Sequence, residues 1–395
     1  MAPEGLTPRL RELLSAQRDA GLFRRRRRRA GTVQQPRLAG RDQPVINFAS
    51  NDYLGLSADA RIAQAMSDAL RDYGAGAGAA ELVSGHTEAH AALERELAEF
   101  CGTGRALLFS TGYMANLGVI ATLAGLDGRG AVVAQDRLNH ASLIDGAVLA
   151  RARLIRYRHA DADDLRRRLQ ALPRPPALVA TDGVFSMDGD IAPLPALSAI
   201  CKEAGVPLMI DDAHGLGVLG DTGRGTLEHY HLDPGDVAAR VGTFGKALGL
   251  FGAFVAGGEA LIETLIQRAR SYLYTTALPP ALVCGVRESL RILREEPQHR
   301  RRLHGNIRHF HQQAVNRHLS FAMTATPIQP LIIGDARKTA ALSDALLARG
   351  YWVPAIRPPT VPEGSARLRV SLTAAHSAAA IDALLDTLAE LLERT

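Results

Sequence analysis

The chain has 395 residues, enough for two or three packed units at roughly 150 residues per domain. Its 47% hydrophobic and 22% charged residues exclude a disordered tail protein, and no apolar run nears the roughly 20 residues of a bilayer span. The formal charge of +5 is concentrated in one run of six arginines, Arg24 to Arg29, and the rest of the chain is close to neutral.

Residues 5–23 carry Leu6, Leu10, Leu13, Leu14 and Leu22 at helical spacing, which predicts an amphipathic helix leading into the arginines. The run has no interleaved aromatics, and the body offers no helix-turn-helix, zinc or RNA-binding pattern. A solvated helix end or a substrate-facing arm therefore stands ahead of a nucleic-acid or acidic-protein binder. From Pro44 the texture changes to short β-type runs bounded by glycine and separated by helical stretches. These runs are Ala106 to Phe109, Ala131 to Ala134, Ala177 to Ala180, Pro207 to Ile210, Val241 to Thr243 and Ala253 to Ala256. The alternation implies an α/β domain with a mostly parallel sheet and helices on both faces. Beyond residue 285 the pattern gives a charged helical stretch, strands at Ile328 to Ile333 and Arg367 to Leu372, and helices at Ala336 to Arg349 and Ala378 to Leu392. The expected division is thus an N-terminal helical arm, 1–45, a large α/β domain, 46–285, and a small α+β domain, 286–395. Cys101, Cys201 and Cys284 are far apart, form no CxxC pair and follow no secretory signal, which points to a reducing, cytoplasmic compartment.

Two motifs read as ordinary. Gly74-Ala75-Gly76-Ala77-Gly78 follows a helix-like stretch, where a dinucleotide fingerprint would follow a strand, so it is a flexible loop. His86 and His90 are four apart on an expected helix, with Glu88 misplaced for a metalloprotease pattern, and no metal is proposed. The informative residues lie in four pieces at strand ends, where open α/β sheets bind ligands: Ser110 to Tyr113, Asn139 to Ser142, Asp211 to Gly215 and Thr243 to Lys246. Together they supply what pyridoxal 5'-phosphate needs, namely a lysine amine, a carboxylate for the pyridinium nitrogen, a flat ring and small phosphate donors. Asp211 ends an apolar run, where an unpaired carboxylate would be costly. Lys246 must be partly deprotonated to attack a carbonyl. Gly112 and Tyr113 open a helix whose N–H groups suit a phosphate, with Thr243 as a further hydroxyl.

The stretches Ser50 to Leu56, Thr181 to Asp190, Asp211 to Gly215 and Thr243 to Lys246 resemble the α-oxoamine synthases, from about Leu22 to the final helix. The resemblance implies an aspartate aminotransferase-like (fold type I) pyridoxal-phosphate-dependent transferase. It implies Lys246, His140 and Asp211 as catalytic residues: the covalent cofactor anchor, the group stacked on the ring, and the partner of the pyridinium nitrogen. His214 and Ser186 would bond the ring oxygen region, and Thr243, Gly112 and Tyr113 the phosphate. Arg369 would bind the amino-acid carboxylate, Asn51 would lie near cofactor and substrate, and Arg24 and Thr360 would sit on the acyl side. It further implies a homodimer in which Tyr274-Thr275-Thr276 reaches a neighbour's phosphate. The implied reaction is a decarboxylative condensation of an amino acid with an acyl thioester. Ala355 to Pro362 and Leu368 to His376 favour L-alanine with pimeloyl-CoA or a pimeloyl carrier protein over glycine with acetyl- or succinyl-CoA. Two features depart from the family. Ala75, Ala77, Ala79 and Ala80 replace loop serines, so no phosphate bond is assigned there, and the long arginine run leaves the substrate arginine open among Arg24 and its neighbours.

Overall fold

The computed structural model describes residues 6–128 and 130–394, so residue 5 of the expected N-terminal helix lies outside the described residues. Contacts divide the chain into two units. The larger comprises Asn51–Ser186 and Asp190–Arg301; the smaller comprises the described residues up to Ser50, Met187–Gly189 and those from Arg302 onward. The boundary expected at residue 285 falls inside the helix Pro280–Glu295. That helix packs against the helices Ala60–Tyr73 and Glu88–Cys101, which keeps its whole length in the larger unit.

The larger unit is built on seven strands: β1 (Arg105–Phe109), β2 (Val132–Asp136), β3 (Arg153–Tyr157), β4 (Leu178–Asp182), β5 (Leu208–Asp211), β6 (Ala239–Thr243) and β7 (Ala253–Gly257). Their order is β1-β7-β6-β5-β4-β2-β3. All neighbours are parallel except β7, which runs antiparallel to both β1 and β6. The central strands are buried on both faces, and successive residues alternate between two apolar clusters. Val133, Leu178, Ala180 and Met209 pack in one with Val119, Ile120 and Leu143, while Ala134, Val179, Leu208 and Ile210 pack in the other with Leu165, Leu194 and Leu197. The helix Gly112–Leu126 is apolar nearly all round, as a helix enclosed between sheet and neighbouring helices must be.

Caps fix where these helices start. Thr111 accepts from the Met114 N–H and Asp161 from the Asp164 N–H, each contact typically stabilising by about 0.5–2 kcal/mol. His86 was expected to share a helix with His90. Instead the helix Glu88–Cys101 begins after it, because Thr87 and the His90 imidazole form a capping box that satisfies the first-turn donors.

The smaller unit has an antiparallel sheet of β8 (Ile328–Gly334), β9 (Ala355–Ile356) and β10 (Ala366–Ser371), in the order β8-β10-β9. The helix Ala336–Ala348 packs on this sheet and on the helix Ala378–Glu393. Tyr351–Trp352 pairs in parallel with Ile46–Asn47, which ties the N-terminal segment into this unit. The helix Leu6–Asp19 buries none of its residues, and Leu10 and Leu13 are half exposed. Among the described residues no helix is long and apolar enough to cross a membrane.

Candidate active site

At the carboxyl end of β5, Asp211 is 6% exposed. Its Oδ1 accepts the Ala213 N–H at 3.0 Å and its Oδ2 accepts Asn116 Nδ2–H at 2.6 Å. Asn116 also donates to Ser142 Oγ at 2.8 Å, and Ser142 Oγ donates to His140 Nδ1 at 2.7 Å. One continuous chain of bonds therefore links the carboxylate to the imidazole. With Nδ1 accepting, the proton of a neutral His140 sits on Nε2. Burial holds this imidazole below the ordinary histidine range, against the charge of Asp211 and with that of Lys246, so it is neutral at pH 7.

The backbone of His140 is fixed as firmly as its ring. Its N–H donates to Asp182 Oδ2 at 2.6 Å, and Asn139 bonds the β4 backbone on both sides, to the Ala180 carbonyl and from the Asp182 N–H. Burial, followed by the nearby Asp211, pushes the Asp182 carboxyl well above its usual range, and Lys246 opposes the shift. Lys246 thus acts on both His140 and Asp182, which puts all four groups in one electrostatic neighbourhood.

A second chain of bonds joins Asn51 Oδ1, Tyr53 OH and His214 Nδ1, at 3.3 and 2.7 Å. Thr243 ends β6, and its Oγ1 donates to the Gly252 carbonyl at 2.9 Å and accepts the Gly245 N–H at 3.2 Å, bracing the turn that carries Lys246. Gly112 and Tyr113 form the first turn of the helix Gly112–Leu126, with Tyr113 exposed and bonded to Asp145. Ser186 is half-buried just after Phe185.

Three expected substrate residues belong to the smaller unit. Arg24 is exposed and bonds the Pro358 carbonyl at 3.5 Å, and the Thr360 N–H bonds the Arg357 carbonyl at 3.1 Å, so both attach to one short segment. Arg369 lies on β10, 5% exposed, and donates to Ser371 Oγ at 2.9 Å. Elsewhere, Glu81, His86 and Glu94 bring ligand-type atoms within 4.8 Å of one another. They bond locally, His86 to Glu94 at 3.2 Å and Glu81 to Tyr272 at 3.3 Å, and burial pushes the Glu81 carboxyl up to about 7.

Sequence reasoning missed Asn116, Asp182 and Tyr53 as members of this constellation. Asn116 stands in an apolar helix, 95 positions from the carboxylate it bonds, and no local pattern marks it.

The donor set fits pyridoxal 5'-phosphate. Asp211 is a buried carboxylate bonded by neutral donors, with no ion pair among the described residues. Such a group calls for a compensating cation, which a protonated pyridine nitrogen supplies. Asn116 Oδ1 is buried with no protein partner among the described residues, leaving a further acceptor at the same point. A neutral imidazole, a lysine amine and the N-terminus of a 15-residue helix complete the requirement.

The model of the aminotransferase class I and II family matches residues 43–388. The chain belongs to that family. Within it, the chain is 54% identical over 364 residues to the 8-amino-7-oxononanoate synthase of Methylococcus capsulatus, covering 92% of this chain and 93% of the relative. To the synthase of that name from Thioalkalivibrio sulfidiphilus it is 53% identical over 380 residues, 96% of each chain. Among solved family structures, a Sphingomonas wittichii serine palmitoyltransferase superposes with a TM-score of 0.91 at 33% identity, covering 100% of this chain and 98% of that one. The 8-amino-7-oxononanoate synthase of Francisella tularensis gives 0.77 at 32% identity, covering 89% and 98%. A further serine palmitoyltransferase structure holds pyridoxal phosphate.

Proposed function

We propose that the chain is a pyridoxal-phosphate-dependent 8-amino-7-oxononanoate synthase, joining L-alanine to a pimeloyl thioester in biotin biosynthesis. The observation that carries this reading is the identity of 54% and 53%, over nearly the full chain, to synthases of that name. The likeness to serine palmitoyltransferase is closer in superposition but rests on 33% identity, and a shared fold does not carry substrate choice.

Bound pyridoxal phosphate supplies an electron-poor ring that stabilises negative charge at the amino acid's Cα. Asp211 keeps that ring protonated at nitrogen, and Asn116 holds the carboxylate in position. His140, neutral and tethered through Ser142 and Asp182, presents a flat face. Lys246 anchors the cofactor and then, as a free amine, takes the Cα proton. His214 and Ser186 hold the ring oxygen side, His214 oriented by Tyr53 and Asn51. Gly112, Tyr113 and Thr243 serve the phosphate, and Arg369 the alanine carboxylate. Arg24 and Thr360 serve the acyl chain. Across the reaction a bond forms between Cα of alanine and the thioester carbonyl carbon, the C–S bond breaks and the thiol leaves protonated. The original carboxylate departs as carbon dioxide, and a proton returns to Cα. The enzyme works as a homodimer in the cytoplasm. The exposed Tyr274 and its neighbours are available to a second subunit, and free Cys101, Cys201 and Cys284 suit a reducing compartment.

Lys246→Ala tests the assignment. Turnover disappears, and borohydride no longer fixes the cofactor mass on the chain; a variant that retains both removes Lys246 from its role.

A further inference from the structure

The larger unit holds an ion cluster that the proposed reaction leaves unused. Asp136 ends β2 and its side chain is 1% exposed. Its Oδ1 accepts the Leu138 N–H at 2.8 Å and His159 Nδ1–H at 3.0 Å, and its Oδ2 accepts the Ala160 N–H at 2.8 Å. On the other side of the ring, His159 Nε2–H donates to Asp190 Oδ2 at 2.9 Å. A neutral imidazole carries a single N–H, so one of the two carboxylates would then face a bare nitrogen lone pair. Burial disfavours the charged ring, but the bonds to Asp136 and Asp190 outweigh it and raise the imidazole from 6.5 to about 10, so both nitrogens are protonated at pH 7. The rings of His159 and Phe185 stand edge to face, with centroids 4.4 Å apart.

These contacts join two backbone segments that carry residues assigned to the cofactor. Asp136 shapes the turn into His140: besides binding the Leu138 N–H, its carbonyl accepts the Asn139 N–H at 3.3 Å. Asp190 stands in a short hairpin. There Val184 bridges Ile191 in the antiparallel sense, the Phe185 N–H donates to the Asp190 carbonyl at 3.0 Å, and the Ala192 N–H donates to the Gly183 carbonyl at 3.0 Å. Ser186 directly follows Phe185, and the Gly183 N–H ties the base of the hairpin to the Asp211 carbonyl at 2.7 Å. We propose that His159 is a positioning residue for the reaction, an imidazolium clamp that sets the hairpin bearing Ser186 against the turn bearing His140. The proposal rests on the roles given above to Ser186 at the ring oxygen side and His140 at the ring face. His159 acts on the cofactor only through the two segments that it joins.

His159→Gln and Asp190→Asn each open the clamp, and the Asp190 side chain is 38% exposed, so its substitution removes the ion pair with little repacking. In the holoenzyme each variant shifts the visible circular dichroism of bound pyridoxal phosphate and weakens cofactor retention by about tenfold in equilibrium dialysis. Each also lowers kcat by about 10- to 100-fold with KM for L-alanine little changed, the scale of a reacting group displaced by up to about 1 Å. The double variant loses about as much as the worse single one, because one clamp serves both residues. A lowered melting temperature in Asp190→Asn with unchanged dichroism, retention and kcat makes the cluster merely structural and overturns the proposal, as do additive losses in the double variant. Where His159→Gln fails to fold, Asp190→Asn decides alone. Dichroism and retention need no substrate, so they decide the clamp even if L-alanine and pimeloyl-CoA fail to react, which would instead overturn the proposed reaction.

Discussion

Asp212, the residue after Asp211, stands in a buried ion pair that predicts how the larger unit responds to mutation. Its carboxylate pairs with Arg240 at 2.7 Å, with side-chain exposures of 0% and 2%, and also accepts the Thr226 N–H at 3.0 Å. Removing one member of such a pair leaves the other charge buried and unpaired, which costs about 3–5 kcal/mol. At about 2–4 °C per kcal/mol for a unit of this size, the melting temperature of Arg240→Met or Asp212→Asn falls by roughly 10 °C. The two variants differ in pH response. Burial alone raises the Asp212 carboxyl and Arg240 opposes that rise, so Arg240→Met leaves a carboxyl whose folded value lies above its unfolded one. Its stabilising contribution is then present at low pH and lost as pH rises, which makes Arg240→Met more damaging at pH 8 than at pH 5. Denaturation of both single variants and of the double Asp212→Leu/Arg240→Met tests this, the double recovering part of the loss. Single losses under about 1 kcal/mol, or strict additivity, would refute the argument.

Three further outcomes follow from local geometry elsewhere in the chain. A Cβ at Gly215 would lie 2.0 Å from Asp212 Oδ1, so Gly215→Ala destabilises the fold and weakens cofactor retention, both read by thermal denaturation of apo and loaded protein. Asn116→Asp sets a second carboxylate against Asp211 in place of a donor at 2.6 Å and weakens pyridoxal phosphate binding by about tenfold, measured by equilibrium dialysis. His376 stacks on Phe48, accepts the Thr373 N–H at Nδ1 and donates from Nε2 to the Asn47 carbonyl, and burial lowers it from 6.5 to about 4. The unfolded chain takes that proton first, so stability falls between pH 6.5 and about 4, by about 3 kcal/mol at 1.36 kcal/mol per unit. Denaturant midpoints across that range show the loss in the wild type and not in His376→Gln.

Much of the architecture was legible because the central strands are short apolar runs buried on both faces. Ala131 to Ala134 and Pro207 to Ile210 announce themselves in this way. Arg153–Tyr157, at one edge of the sheet, did not, since its two arginines interrupt the apolar pattern. The reversed direction of Ala253–Gly257 carries no residue signature. Its connection from Thr243 is nonetheless too short for the crossover of a dozen or more residues that parallel strands need. At the site, residues at strand ends and turns were readable, including Asp211, His140 and Lys246. The groups that position them were not, because the Asn116 and Tyr53 contacts exist only after the chain has folded.

The central claim is the pairing of L-alanine with a pimeloyl thioester. Cofactor-loaded protein incubated with pimeloyl-CoA and equal L-alanine and glycine, with products read by mass spectrometry, tests it directly. The account predicts that the mass of 8-amino-7-oxononanoate dominates. A product from glycine alone, or no product from protein that retains the visible cofactor band, would contradict it.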